Sequence, residues 1–91
     1  MTKLTLSLMD SNDNVIKKES LIMNDFEQKE PVGPFDSKEL IESVVLLCSK
    51  MSIGVPILTV VEEKSLFRYN EVVIHDEEYG DKTLKISLEP A

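Results

Sequence analysis

The sequence predicts an α+β fold: a single domain with a ββαβββ order, an antiparallel sheet and one amphipathic helix packed on one face. Three observations carry this. The first and last segments alternate apolar and polar residues. One stretch writes both ends of a helix. The breaks between the remaining apolar segments are short and polar, which favours hairpins over crossovers.

Leu4, Leu6 and Leu8 alternate with Lys3, Thr5, Ser7 and Met9, the period of a strand with one wet face. Ser11-Asn12-Asp13-Asn14 is a turn cluster, and Val15 to Met23 returns as a second strand. Its register is open, because Leu21 and Met23 compete with Ile22 for the buried side. Residues 24–35 form a long connector in which Pro31 and Pro34 disfavour helix just before them.

The helix follows. Asp36 and Glu39 have the spacing of a capping box, and Phe35 and Leu40 that of a hydrophobic staple. Leu40, Ile41, Val44, Val45, Leu47, Cys48 and Met51 share one arc, with Glu42, Ser43, Ser49 and Lys50 opposite. Gly54 is placed to close the helix in a left-handed conformation, and Pro56 prevents its continuation. Beyond it, Ile57 to Val61 reads as a strand, Glu62-Glu63-Lys64-Ser65 as a break, and Leu66 to His75 as a long or interrupted strand. Asp76 to Asp81 is a second break, and Thr83 to Leu88 ends the sheet, as regular in its alternation as the first strand.

Composition narrows the function classes. The chain has 91 residues, a net charge of −7 and acids spread throughout: nine against five bases in residues 1–45, eight against five in 46–91. With no basic stripe, direct nucleic-acid binding is disfavoured, and an acidic surface points either to a partner protein with a basic one or simply to solubility, the acidic segment near His75 reading equally as a solvated hairpin tip. No apolar run approaches the roughly 18 residues that span a bilayer, so no membrane association is expected. The alternating N-terminus lacks the apolar core of a signal peptide, and a lone cysteine supports no disulfide framework, which places the chain in the cytoplasm. Cys48, on the apolar arc, reads as a small buried hydrophobe.

Asp10-Ser11-Asn12-Asp13-Asn14 begins like a calcium loop. Val15 then stands where that loop needs glycine and Leu21 where it needs glutamate, so the segment reads as a hairpin turn. His75, Asp76, Glu77, Glu78 and Asp81 match no metal-ligand spacing. Together with Glu71 they form a segment with five acids and no lysine or arginine. No glycine-rich loop cradles a phosphate and no elbow presents a nucleophile to His75, so no catalytic, metal or cofactor site is expected.

The candidate partner-binding residues are therefore Glu71, Asp76, Glu77, Glu78 and Asp81 at an acidic tip, with Leu46 and Ile53 as apolar residues on the polar side of the helix. Alternation would put Phe67 and Tyr69 on one sheet face, the core side being favoured. The expected function is a non-catalytic protein-binding module that blocks, regulates or adapts a larger partner, in the manner of a small acidic inhibitor. Two other readings compete with it. One is an assembly subunit that forms a homo-oligomer through its sheet edges, and the other an acidic nucleic-acid mimic that inhibits a DNA-binding protein.

Overall fold

The computed structural model describes residues 1–23 and 38–91. It is an α+β domain with four antiparallel strands and two helices: β1 (Thr2–Met9), β2 (Val15–Met23), α1 (Lys38–Met51), α2 (Val60–Tyr69), β3 (Glu71–His75) and β4 (Thr83–Pro90). The strands lie in the order β2-β1-β4-β3, so two hairpins are joined through the first and last strands. β1 runs against β4 from Thr2↔Pro90 to Met9↔Thr83, in the register that sets Leu4, Leu6 and Leu8 opposite Leu88, Ile86 and Leu84. The apolar rows of both central strands enter the core, but the opposite row of β1 is not the wet face its alternation suggested: Thr5 and Ser7 are buried as well, as small side chains on a central strand.

The register left open in β2 is settled by its pairing with β1. Leu21 and Met23 lie opposite Leu4 and Thr2 on the core side, and Ile22 faces out, 52% exposed. Ile16 is the extra residue of a bulge, where Leu8 pairs with Lys17 but Met9 with Val15. Both helices cover one face of the sheet. The core collects Leu4, Leu6, Leu84 and Ile86 from the central strands, Leu40, Val44, Leu47 and Met51 from α1, and Leu66 from α2.

α1 stops earlier than expected, and not at Gly54. Ser52 takes the left-handed conformation, with φ 56°. Its amide donates to the Ser49 carbonyl, and the Ile53 amide donates to the Cys48 carbonyl, both at 3.1 Å. These are the two bonds of a Schellman closure, and Ile53 completes the motif by packing on the core. The Lys17 ammonium adds a bond at 2.9 Å to the Met51 carbonyl, a cation at the negative end of the helix. Asp36, Phe35, the Glu39 side chain and the 24–35 connector lie outside the described residues.

The largest correction concerns residues 57–70. The expected strand Ile57–Val61, the break after it and the start of the strand at Leu66 are replaced by an irregular segment and α2. Thr59 caps this helix. Its hydroxyl accepts from the Glu62 amide at 3.2 Å, while the Glu62 carboxylate accepts from the Thr59 amide at 3.0 Å, a complete capping box. Asn70, at φ 62°, closes it, and β3 begins at the next residue. The observed order is therefore ββααββ. Phe67 and Tyr69 sit on a helix rather than on a sheet face: Phe67 packs against the core, and Tyr69 is exposed with the Arg68 guanidinium 5.8 Å from its ring centre.

Candidate binding surface

The apolar arc of α1 is wider than the core beneath it. Val44, Leu47, Cys48 and Met51 are buried, but at the margin of the arc Ile41 is only half-buried and Val45 is exposed. Val45 was expected in the core. It lies instead on an open groove of about 220 Å³ between α1 and the chain that runs back from Gly54, lined by Ile41, Val44, Val45, Val55, Pro56, Ile57 and Leu58. No charged or hydrogen-bonding side chain is among them. Ile57 is 85% exposed, and Val61, in the first turn of α2, is 73% exposed. Isolated exposed apolar residues are ordinary on a protein surface, whereas a contiguous set around a concave groove is not.

The candidate pair on the polar side of α1 separates. Leu46 stands 51% exposed, whereas Ile53, beyond the helix end, turns onto the core and forms no patch with it.

The acidic segment also divides. Glu71 starts β3 and its carboxylate pairs with Lys85 at 3.3 Å, about 13 Å of strand away from the tip. Asp76, Glu77, Glu78 and Asp81 do form the turn between β3 and β4, built around one 3₁₀ turn at Glu77–Tyr79. Asp76 caps it by accepting from the Glu78 amide at 3.0 Å, and Gly80, at φ 65°, supplies the backbone that leads into β4. Asp81 lies 3.6 Å from the Lys82 ammonium.

Two neighbours of the tip were not expected. Tyr79 is buried, and its hydroxyl donates to the Gly54 carbonyl at 2.7 Å. Burial, followed by the nearby Cys48, Asp76 and Glu78, pushes the phenol up to about 12. The Glu78 carboxylate rests against Gly54, in the space that a Cβ at that position would fill. Gly54 thus permits a close approach of the Glu78 side chain and does not close the helix.

The second neighbour is the β1–β2 turn. Since Met9 pairs with Thr83 and His75 with Thr83, this turn and the acidic tip leave the sheet at the same end. Asp10 serves as an internal turn cap: its carboxylate accepts from the Asn14 amide at 3.0 Å, the Asn12 amide at 2.9 Å and the Asn14 side chain at 3.3 Å. The Asn14 amide, against an opposing push from desolvation, holds its carboxyl below the ordinary value, and the field of Lys82 reaches it too. Asp10, Asp13, Asp76, Glu77, Glu78 and Asp81 therefore share one end of the domain, with Lys82 and Lys17 as nearby cations. Sequence separation hid this grouping.

Among the described residues, no three histidine, cysteine or carboxylate side chains stand where they could hold a metal ion. Cys48 is buried, and desolvation pushes its thiol up to about 11, away from reactivity. No described helix is long and apolar enough to cross a membrane. The sheet has two edges, β2 and β3. β2 exposes Val15, Ile16 and Ile22 but carries the bulge at Ile16 and the pair Lys17-Lys18, features that discourage pairing by a further strand, while β3 is short, with Val73 exposed. Comparison with family models, curated proteins and solved structures finds no match to this chain.

Proposed function

We propose that this protein is a non-catalytic protein-binding module that blocks, regulates or adapts a larger partner through the groove between α1 and Val55–Leu58. The observation that carries the reading is the groove itself: concave, lined wholly by apolar side chains, and bordered by Ile57, a large apolar residue almost fully in solvent. Burying such residues against a partner removes apolar surface from water at roughly 25 cal/mol per Å², which gives a binding patch its driving force. The buried Cys48 offers no accessible thiol nucleophile, in keeping with a binding role.

Photo-crosslinking in the native host tests it. A photoreactive residue in place of Ile57 should give adducts of defined mass with another protein, and one in place of Lys18 on β2 should not. Adducts from position 18 and none from position 57 would move the interface to the sheet edge and favour the assembly subunit.

A further inference from the structure

We infer that the apolar groove and the acidic tip act as one site, taking a segment of a partner protein that presents an apolar side chain flanked by lysine or arginine. The inference rests on the protein-binding reading above and names the chemistry of the partner.

The two features share a wall. The chain that lines the groove from Val55 to Leu58 begins at Gly54. Gly54 is held from the other side by the acidic tip, through the Tyr79 hydroxyl on its carbonyl and the Glu78 carboxylate against its Cα. A side chain seated at Val55 is one residue from a carboxylate. The end of α1 lies in the same region, but its negative pole is already answered, by Lys50 in the last turn and by the closing bonds at Ser52 and Ile53. Lys17 answers that pole too, at the Met51 carbonyl.

Among the described residues, six carboxylates lie at this end of the sheet; Lys82 is engaged with Asp81 and Lys17 with Met51, and Lys50 stands in the last turn of α1. The groove lining carries no charge of its own to offset them. The field thus favours cations beside an apolar anchor. It repels an anionic lipid surface, which would otherwise suit an exposed apolar patch. An amphipathic helix laid in a groove is the recognition mode that joins these needs, with carboxylates steering its approach and apolar anchors holding it.

The test uses the full chain and three synthetic peptides with leucines at helical i, i+3, i+4 and i+7 spacing and lysine, serine or glutamate elsewhere, followed by fluorescence anisotropy at low and moderate salt. The lysine peptide should bind about ten-fold tighter than the serine peptide at low salt, and the glutamate peptide weakest. Glu77→Gln, Glu78→Gln and Asp81→Asn together should remove most of that advantage and flatten its salt dependence. Glu19→Gln, Glu71→Gln and Glu89→Gln together change the net charge equally, away from the tip, and should not. Ile57→Ser should weaken the lysine and serine peptides alike.

Equal affinity for the lysine and serine peptides, both weakened by Ile57→Ser, would overturn the joint site and leave the groove as a binding surface. Equal effects of the two triple changes would reduce the preference to net charge and overturn it as well. A concentration-dependent dimer that Ile57→Ser abolishes would overturn it by assigning the groove to a second copy. If no peptide binds and Ile57→Ser changes nothing, the groove reading falls too.

Discussion

The Tyr79 hydroxyl donates a 2.7 Å hydrogen bond to the Gly54 carbonyl, tying the β3–β4 turn to the chain that leaves α1. Twenty-five residues separate the partners, and the bond closes the acidic end of the domain over its core. Tyr79→Phe keeps the buried ring and removes the bond, so chemical denaturation should show a loss of about 1 kcal/mol.

Two buried acids, Tyr79 and Cys48, determine how stability responds to alkali. The Tyr79 phenol is pushed from its ordinary value of 10.0 up to about 12, mainly by burial, and the Cys48 thiol from 9.0 up to about 11. Each is held neutral by the fold, so its contribution is complete below the ordinary value and is lost as the pH rises through the folded one. Stability should fall between about pH 9 and pH 12, by an amount on the order of 2 kcal/mol for the phenol. Tyr79→Phe should flatten the upper part of the fall and Cys48→Ala the lower part. Parallel curves for wild type and Tyr79→Phe would show that the phenol titrates alike in the folded and unfolded chain.

The end of α1 is a second place for measurement. Ser52 carries the left-handed conformation that the sequence pattern assigns to Gly54. Relief of that backbone conformation, less the added freedom of glycine in the unfolded chain, should make Ser52→Gly stabilising by roughly 0.5–1 kcal/mol. Gly54→Ala should do the reverse, since its methyl group displaces the Glu78 carboxylate. That carboxylate is the end of a flexible, exposed side chain, so the loss should stay below about 1 kcal/mol. It should vanish in combination with Glu78→Ala. Melting curves of the two single changes and the pair decide it.

Thr59→Ala removes the hydroxyl that accepts from the Glu62 amide and should cost about 1 kcal/mol, seen together with a loss of helical circular dichroism from α2. This helix marks the limit of what the sequence discloses. β1, β4 and α1 are legible because each places a regular apolar row against the core, at period 2 or 3.6. α2 places Glu63, Leu66 and Phe67 inward, and a buried carboxylate in the row erases its apolar period. Val60 and Val61 at its start favour strand by propensity alone. The Thr59-x-x-Glu62 spacing was the one local signal for a helix start. The groove was illegible for a related reason. Ile57 and Leu58 read as the start of a half-buried strand, and only the irregular path of that segment exposes Ile57. The acidic tip was legible as a run of like charges, but its union with Asp10 and Asp13 and its contact with Gly54 depend on pairing across the sheet.

Three apolar residues close in sequence should respond to truncation in different ways, and the contrast measures which of them the fold needs. Leu47 is fully buried between α1 and the sheet, so Leu47→Ala leaves a cavity and should cost about 2–5 kcal/mol. Leu46, the next residue, is half in solvent and should lose less than about 1 kcal/mol on the same change. Ile57 lies almost wholly in water, so Ile57→Ser should alter stability by no more than about 0.5 kcal/mol. What should change is the surface. A dye that fluoresces on apolar patches should bind the folded wild type and bind Ile57→Ser and Val61→Ser more weakly, at equal thermal midpoints. That outcome would support the proposed binding surface. A large loss of stability in Ile57→Ser would instead return this side chain to the core and dissolve the groove as a binding surface.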